Sequence, residues 1–344
     1  MQHKATFFNI EPCWGEEGMA HLKNNEKLRE AGVKVSFSAD TLDSAHIPTD
    51  DDFDIAGIFM DSKIDETTIA ALPNLKFIAT LSTGYDHIDL EPAAARGIPV
   101  SSVPAYGENT VAEFAFALIL ALSRKICEAR ERVHNEGRFT TEGLVGFDLA
   151  GKTLGIVGTG RIGKHAVRMA KGFGMNVVAF DTYHDDEFAK EMGFSYASLE
   201  ELLAQSDIVT IHCPYLPATH HIINKENIGL MKRGAYLINT ARGGIVETEA
   251  LVTALQSGAL AGAGLDVIEE EGEMKDELAL LNAGHPKEEE LKTILLNHVL
   301  MKMPNVILTP HNAFNSKEAL LRILDTTIDN IVAFMNGTPA NVVR

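Results

Sequence analysis

The sequence predicts an α/β protein with two doubly wound domains, each built on a parallel sheet. Three observations carry this. The chain has 344 residues, more than one hydrophobic core ordinarily serves. Short β-branched runs alternate with helical stretches along nearly its whole length, the pattern of βαβ units rather than hairpins. These runs are apolar without a period of two, as strands covered on both faces must be.

In chain order, "ATFFNI", "VKVSFS", "IAGIFM", "KFIATL" and "IPVSSV" form a first strand series. A helix follows over "ENTVAEFAFALILALSRKICEARERV", with Thr110 and Glu113 spaced as a capping box at its start. Its first four turns are apolar on every side, which predicts burial all round, between domains or in a subunit interface. The glycine-rich stretch 135–152 reads as an irregular connection. "TLGIVG", "NVVAFD", "DIVTIHC", "AYLINT", "AGLDV" and "NVILTP" form the second series. The last helix, "SKEALLRILDTTIDNIVAFMNG", is expected to pack back on the first domain. The domains are then 1–107 with 312–344, and 108–311. Trp14 is expected in local packing near the N-terminus.

The chain is 45% hydrophobic and 23% charged, with a net charge of −18. That charge disfavours nucleic acid or an anionic membrane surface as partner. The N-terminus lacks an apolar run of signal-peptide length, and the longest apolar segment, 114–122, is too short to span a bilayer. Cys13, Cys127 and Cys213 are odd in number and widely spaced, which fits reduced thiols and a cytoplasmic location. His212, His220 and His221 have no acidic or cysteine partner at ligand spacing, so no metal is expected.

Gly158, Gly160 and Gly163 follow a strand, open a helix, and lead to a second strand ending in Asp181. This is the dinucleotide fingerprint. The first glycine allows the tight turn, the second lets backbone approach a pyrophosphate, and the third lets helix pack on strand. The helix N-terminus offers free N–H groups to the phosphates. Asp181 suits ribose hydroxyls and would repel a 2′-phosphate, so NAD is the expected cofactor.

Three more stretches end strands: "INTARGG" with Arg242, "GLDVIEEEG" with Asp266 and three glutamates, and "ILTPHNAF" with His311 and Phe314. Strand carboxyl ends face the ligand crevice in such sheets. Reducing a 2-oxo acid there needs a cation for the carboxylate and the carbonyl oxygen, which an arginine fork supplies. It also needs a proton donor, which a histidine supplies if a carboxylate keeps it charged beside that arginine. Strand-end position alone leaves open which of Glu269, Glu270 and Glu271 serves.

The motifs "STGYDHIDL", "VPAYGENTVAE", "VGTGRIGKHAVRMAKGFG", "LINTARGG", "GLDVIEEE" and "TPHNAF" appear in this order. With them the chain resembles the D-2-hydroxyacid dehydrogenase family over nearly its whole length, and most closely its D-lactate dehydrogenase branch. The resemblance implies two Rossmann-like domains with the active site in the interdomain cleft. It implies interconversion of a 2-oxo acid and a D-2-hydroxy acid, pyruvate and D-lactate first, glyoxylate or hydroxypyruvate reduction as the alternative. An NAD(H)-sensing binding protein is the distant alternative. It assigns catalysis to Arg242, Glu271 and His311, leaving Glu269 and Glu270 as a solvated charge run. Arg161 and Ile162 would meet the pyrophosphate, and Cys213, Pro214 and Thr219 would line the cofactor groove. Thr240, Ala241 and Asp266 would lie near the nicotinamide. Amides around Thr83 and Gly84 would hold the substrate carboxylate, with Tyr106 and Phe314 closing over it. A homodimer through the helix near Val111 is expected. The chain departs from the family's pattern at Gly272, where a proline commonly stands, in "LSTGYDH", and in the segment 272–303.

Overall fold

The computed structural model describes residues 3–49, 52–271 and 288–343. The chain forms two compact units, residues 1–106 with 315–344, and residues 107–314. The second boundary falls three residues later than 311/312. The reason is local: the amides of Asn312 and Ala313 donate to the Asp266 carboxylate at 2.8 and 2.7 Å, which holds this loop to the second unit.

The first unit carries a five-stranded parallel sheet. Its strands are β1 (His3–Phe8), β2 (Val33–Ser38), β3 (Ile55–Ile58), β4 (Phe77–Thr80) and β5 (Val100–Ser101), in the order β2-β1-β3-β4-β5. All pairings are parallel. The apolar runs of β3 and β4 are wholly buried, as continuous rather than alternating hydrophobicity requires. The helix Lys317–Met335 packs on β4 and on the helices Glu11–Lys23 and Glu26–Glu30, and Phe334 stacks on Phe77 at 4.5 Å. Trp14 does more than local packing. Its indole donates to the Leu320 carbonyl at 3.1 Å and its ring stands edge-on to Phe59, so the N- and C-terminal segments are tied together.

The second unit carries a seven-stranded parallel sheet of β6 (Thr153–Val157), β7 (Asn176–Phe180), β8 (Ser195–Tyr196), β9 (Ile208–Ile211), β10 (Ala235–Asn239), β11 (Leu260–Leu265) and β12 (Val306–Leu308). The order is β12-β11-β10-β9-β6-β7-β8. Strand β8 escaped the sequence because two residues leave no periodicity to read. The chain runs outward from β6 to one edge, then returns to β9 and continues to the other. The order therefore reverses between β6 and β9, which opens a crevice at their carboxyl ends.

The expected long helix differs in three ways. It is two helices, Glu108–Ser123 and Ile126–His134, broken where Lys125 takes a φ of 52°. The capping box is absent: Gly107 is the N-cap with no side-chain cap bond. Thr110 lies inside the helix, and Glu113 accepts from Asn109 at 3.0 Å. Nor is the helix buried all round. One face packs on the helix Arg161–Gly172 and on β10 and β11 within its own unit, while Glu113 and Ala117 are exposed. Alanines and glycines in these elements let apolar residues on neighbouring faces share one interface, which a single-chain pattern cannot resolve. Among the described residues no helix is long and apolar enough to cross a membrane.

Candidate functional site

At the reversal point, β6 ends in Gly158 with φ 95°. A Cβ there would lie 2.6 Å from the Cys213 amide nitrogen, so the turn needs both the left-handed backbone and the missing side chain. A Cβ on Gly163 would meet the Gly158 carbonyl oxygen at 2.0 Å, which lets the helix Arg161–Gly172 sit directly on the strand. Gly160 is the opposite case. It is the N-cap of that helix, and a Cβ built on it meets nothing within 4 Å. Open space in front of a helix N-terminus is what a pyrophosphate requires.

Asp181 follows β7. Its carboxylate accepts from the Thr159 amide at 2.6 Å, from the Thr159 hydroxyl at 3.1 Å, and from the Tyr183 amide at 3.0 Å. Burial pushes its pKa up, but the bonds from Tyr183 and Thr159 outweigh it and hold the carboxyl below the usual range. It stays an anion, as ribose recognition needs. Tyr196 steadies Thr159 at 3.0 Å between the hydroxyls, a contact the sequence reading lacked because β8 was not seen. Arg161 pairs with Glu108 at 3.5 Å and is largely exposed, and Ile162 is partly buried against the adjoining core.

After β9, burial pushes the Cys213 thiol up to about 11, with the Asp181 charge adding to it. That is an inert packing thiol rather than a nucleophile. Pro214 and Thr219 shape the next turn, the Thr219 hydroxyl donating to the Pro214 carbonyl at 2.7 Å. Past β10, Thr240 is 7% exposed and its hydroxyl has no partner among the described residues. A buried hydroxyl left unpaired costs stability unless something completes it. This orphan and the open cradle at Gly160 both fit a bound dinucleotide.

Arg242, Glu271 and His311 follow β10, β11 and β12, three neighbouring strands of one sheet. His311 Nδ1 lies 3.0 and 3.1 Å from the two Glu271 carboxylate oxygens, with side chains 18% and 27% exposed. A carboxylate only accepts, so the hydrogen sits on Nδ1. Arg242 Nη1 donates to the Ala241 carbonyl at 2.9 Å, and the Arg242 carbonyl accepts from Asn239 at 2.9 Å. The Ala241 amide donates to the same Asn239 side chain, a polar strand-end residue that the "INT" stretch already displayed. A Cβ on Gly243 would lie 2.0 Å from the Ile268 carbonyl carbon and 2.3 Å from the Glu269 nitrogen. The arginine turn therefore rests on the strand end that carries Glu271.

Asp266, expected near the nicotinamide, closely follows the end of β11. It is 1% exposed, and both carboxylate oxygens are engaged by the Thr309 hydroxyl and the amides of Asn312 and Ala313. Burial pushes its carboxyl above the ordinary range against those bonds. It braces the loop of His311. Phe314 is 8% exposed and stands edge-on to the imidazole, centroids 6.5 Å apart.

Glu269 is not a solvated charge. Its carboxylate accepts from His221 Nε2 at 2.5 Å, and from the Thr248 amide at 2.8 Å and hydroxyl at 2.5 Å. Glu270, by contrast, is exposed, with φ 52°. Non-glycine residues with positive φ are rare and gather where function holds the backbone. Six are found among the described residues, and three of them are Glu270, His311 and His221.

Thr83, Gly84 and Tyr106 belong to the first unit. The Thr83 hydroxyl donates to the Val103 carbonyl at 2.7 Å and Ser82 to the Gly84 carbonyl at 2.6 Å. These bonds fix the loop after β4 while the amides of Thr83 and Gly84 donate to no acceptor among the described residues. Tyr106 is partly exposed. Gly272 and the segment up to 287 lie outside the described residues.

Residues 116–313 match the family described as D-isomer specific 2-hydroxyacid dehydrogenase, NAD binding domain. A glyoxylate reductase of Korarchaeum cryptofilum is 40% identical over 286 residues, 82% of this chain and 80% of that protein. A structure titled for the pyruvate reductase of Chlamydomonas reinhardtii superposes with a TM-score of 0.84 at 35% identity, covering 98% of each chain. The D-lactate dehydrogenase of Aquifex aeolicus, solved with NAD and lactic acid, gives a TM-score of 0.80 at 35% identity, covering 97% of this chain and 96% of the other. The chain therefore belongs to the D-isomer specific 2-hydroxyacid dehydrogenase family, NAD-dependent oxidoreductases whose NAD-binding domain occupies its second unit.

Proposed function

We propose that the protein reduces pyruvate to D-lactate, with Arg242, Glu271 and His311 as its catalytic residues. The observation that carries this is the His311–Glu271 pair, 3.0 Å apart beyond the ends of β12 and β11, the latter adjoining the β10 strand that leads to Arg242. NADH, when bound, supplies the hydride. Gly158, Gly160, Arg161, Ile162 and Gly163 would hold its pyrophosphate and Asp181 its ribose. Cys213, Pro214 and Thr219 would line the groove, with Thr240, Ala241 and Asp266 at the nicotinamide end. Arg242 takes the substrate carboxylate and carbonyl oxygen in its fork, so that charge developing on that oxygen meets a fixed cation. Glu271 anchors Nδ1 of His311, which leaves Nε2 to give a proton to the carbonyl oxygen. In the reverse direction Nε2 accepts the hydroxyl proton. Asp266 acts through the loop it braces, and Phe314 limits rotation of the imidazole and excludes water. The roles of Thr83, Gly84 and Tyr106 toward substrate rest on the family resemblance.

Glyoxylate or hydroxypyruvate reduction is the second reading, favoured by the Korarchaeum relative's name. The intact Arg, Glu and His set speaks against a purely NAD(H)-sensing protein. The test is a panel of pyruvate, glyoxylate and hydroxypyruvate with NADH, run on the native chain and on His311→Ala. The native chain should show its highest kcat/KM with pyruvate. The variant should lose at least a hundredfold in kcat while still binding NADH. A higher kcat/KM with glyoxylate or hydroxypyruvate reassigns the substrate, full turnover by the variant removes His311, and no turnover with any acid favours the sensor. We further propose a cytoplasmic homodimer. Three free thiols support the location, and the exposed apolar side chains of Ile126, Phe139 and Val145 support an additional covered surface.

A further inference from the structure

The third glutamate of the run serves chemistry in the proposed function; the first, two residues earlier, serves none. Yet Glu269 is more deeply buried than His221, its side chain 14% exposed against 31%. Its carboxylate joins three separate pieces of chain. One oxygen takes His221 Nε2 at 2.5 Å, and the other takes the amide and hydroxyl of Thr248. Thr248 opens the helix Thr248–Gln256, whose N-cap Glu247 makes no side-chain cap bond, so Glu269 supplies that cap from another strand end. The His221 amide in turn donates to the Gly244 carbonyl at 2.8 Å, inside the turn that begins at Arg242. Gly243 closes the circuit by resting on the Ile268–Glu269 peptide. The Glu269 carbonyl is itself held by Asn297 at 2.8 Å.

We propose that Glu269, paired with His221, is a positioning residue for this reaction, fixing the Arg242 turn and the backbone of Glu271 relative to each other. It touches neither substrate nor cofactor. The two catalytic groups sit on different strands, and a carboxylate that has to satisfy three donors at once permits one spacing between those strand ends. Misplacement by about 1 Å is costly where a reactant must be held for attack. The proposal rests on the catalytic assignment of Arg242, Glu271 and His311.

The experiment compares Glu269→Ala, Glu269→Gln and His221→Asn with His311→Ala, reading kcat and KM for pyruvate and glyoxylate, NADH affinity by fluorescence titration, and Tm. Asparagine tolerates the left-handed backbone of position 221 but is too short to reach Glu269. Glu269→Ala should lower kcat at least fivefold and raise KM for the 2-oxo acid, with NADH affinity within twofold of the native protein. Glu269→Gln keeps an acceptor for Thr248 and should recover part of the loss. His221→Asn should lose at least twofold in kcat, and combining it with Glu269→Ala should add little, because Glu269→Ala already removes the contact that His221→Asn removes. Where Glu269→Ala fails to fold, His221→Asn alone decides. Values of kcat and KM within twofold of native in the folded variants, with only Tm lowered, overturn the proposal while a dead His311→Ala leaves the catalytic assignment standing. An active His311→Ala brings down that assignment instead.

Discussion

Gly243 has no side chain and no charge, yet it sets how close Arg242 can come to the strand that bears Glu271. A methyl group there would enter the Ile268 peptide at 2.0 Å, and backbone cannot give way as a flexible side chain can. Gly243→Ala should therefore cost about 1–3 kcal/mol in stability and at least tenfold in kcat/KM. Gly172→Ala, at a helical position where a Cβ meets nothing within 4 Å, should leave both unchanged or raise Tm. Steady-state kinetics and thermal melts of the pair check this, and equal activity of the two variants would refute it. The arginine itself was legible from its motif. The reason for the following glycine was not, because its clash partner, the Ile268 peptide, lies beyond the end of β11, and contacts so distant in sequence leave no trace in local pattern. Separations of 48 and 21 residues likewise hid the partners of Glu269, His221 and Thr248.

Strands and their ends carry most of the argument for the fold. The long apolar runs announced themselves, whereas β8, with two residues, and the break at Lys125 did not. The apolar run gives way at Ser123, Arg124 and Lys125, but helix propensity is continuous across residues 123–126, so nothing local marks a left-handed residue there. At the carboxyl end of β9, His212 is buried against the turn of Gly158, its Nε2 3.0 Å from the Thr210 hydroxyl. Burial alone pushes its pKa down to about 4 from 6.5. The sign follows: below pH 6.5 the unfolded chain takes up a proton here that the folded chain refuses. The stability contributed by neutral His212 is fully present above pH 6.5 and is lost as pH falls toward 4, on the order of 3 kcal/mol in all. Chemical denaturation from pH 7 to 4.5 should show this loss in the native chain and a shallower slope in His212→Gln. Parallel slopes would dismiss the assignment.

On the scale of the whole molecule, the proposed homodimer has a second candidate surface beside the helix Glu108–Ser123. The helix Glu108–Ser123 spends its apolar face on its own unit. The helix Ile126–His134 has no buried residue, and Phe139 and Val145 beyond it are 95% and 85% exposed. Light scattering should give twice the chain mass of 37.4 kDa, and Phe139→Asp with Val145→Asp should shift it toward one; a native chain that runs as a monomer would end the proposal. By itself the sequence determined the α/β class, the parallel sheets and the dinucleotide turn, and it displayed Arg242, His311 and a run of three candidate glutamates at strand ends. Apolar periodicity and strand-end motifs are local, and locality is what one chain can display. Only tertiary structure decided that Glu271 is the carboxylate on His311, that Glu269 braces His221 and Thr248, and that Asp266 faces inward. Each depends on which strand lies beside which, and on a register within which a shift of one residue exchanges the faces of a strand.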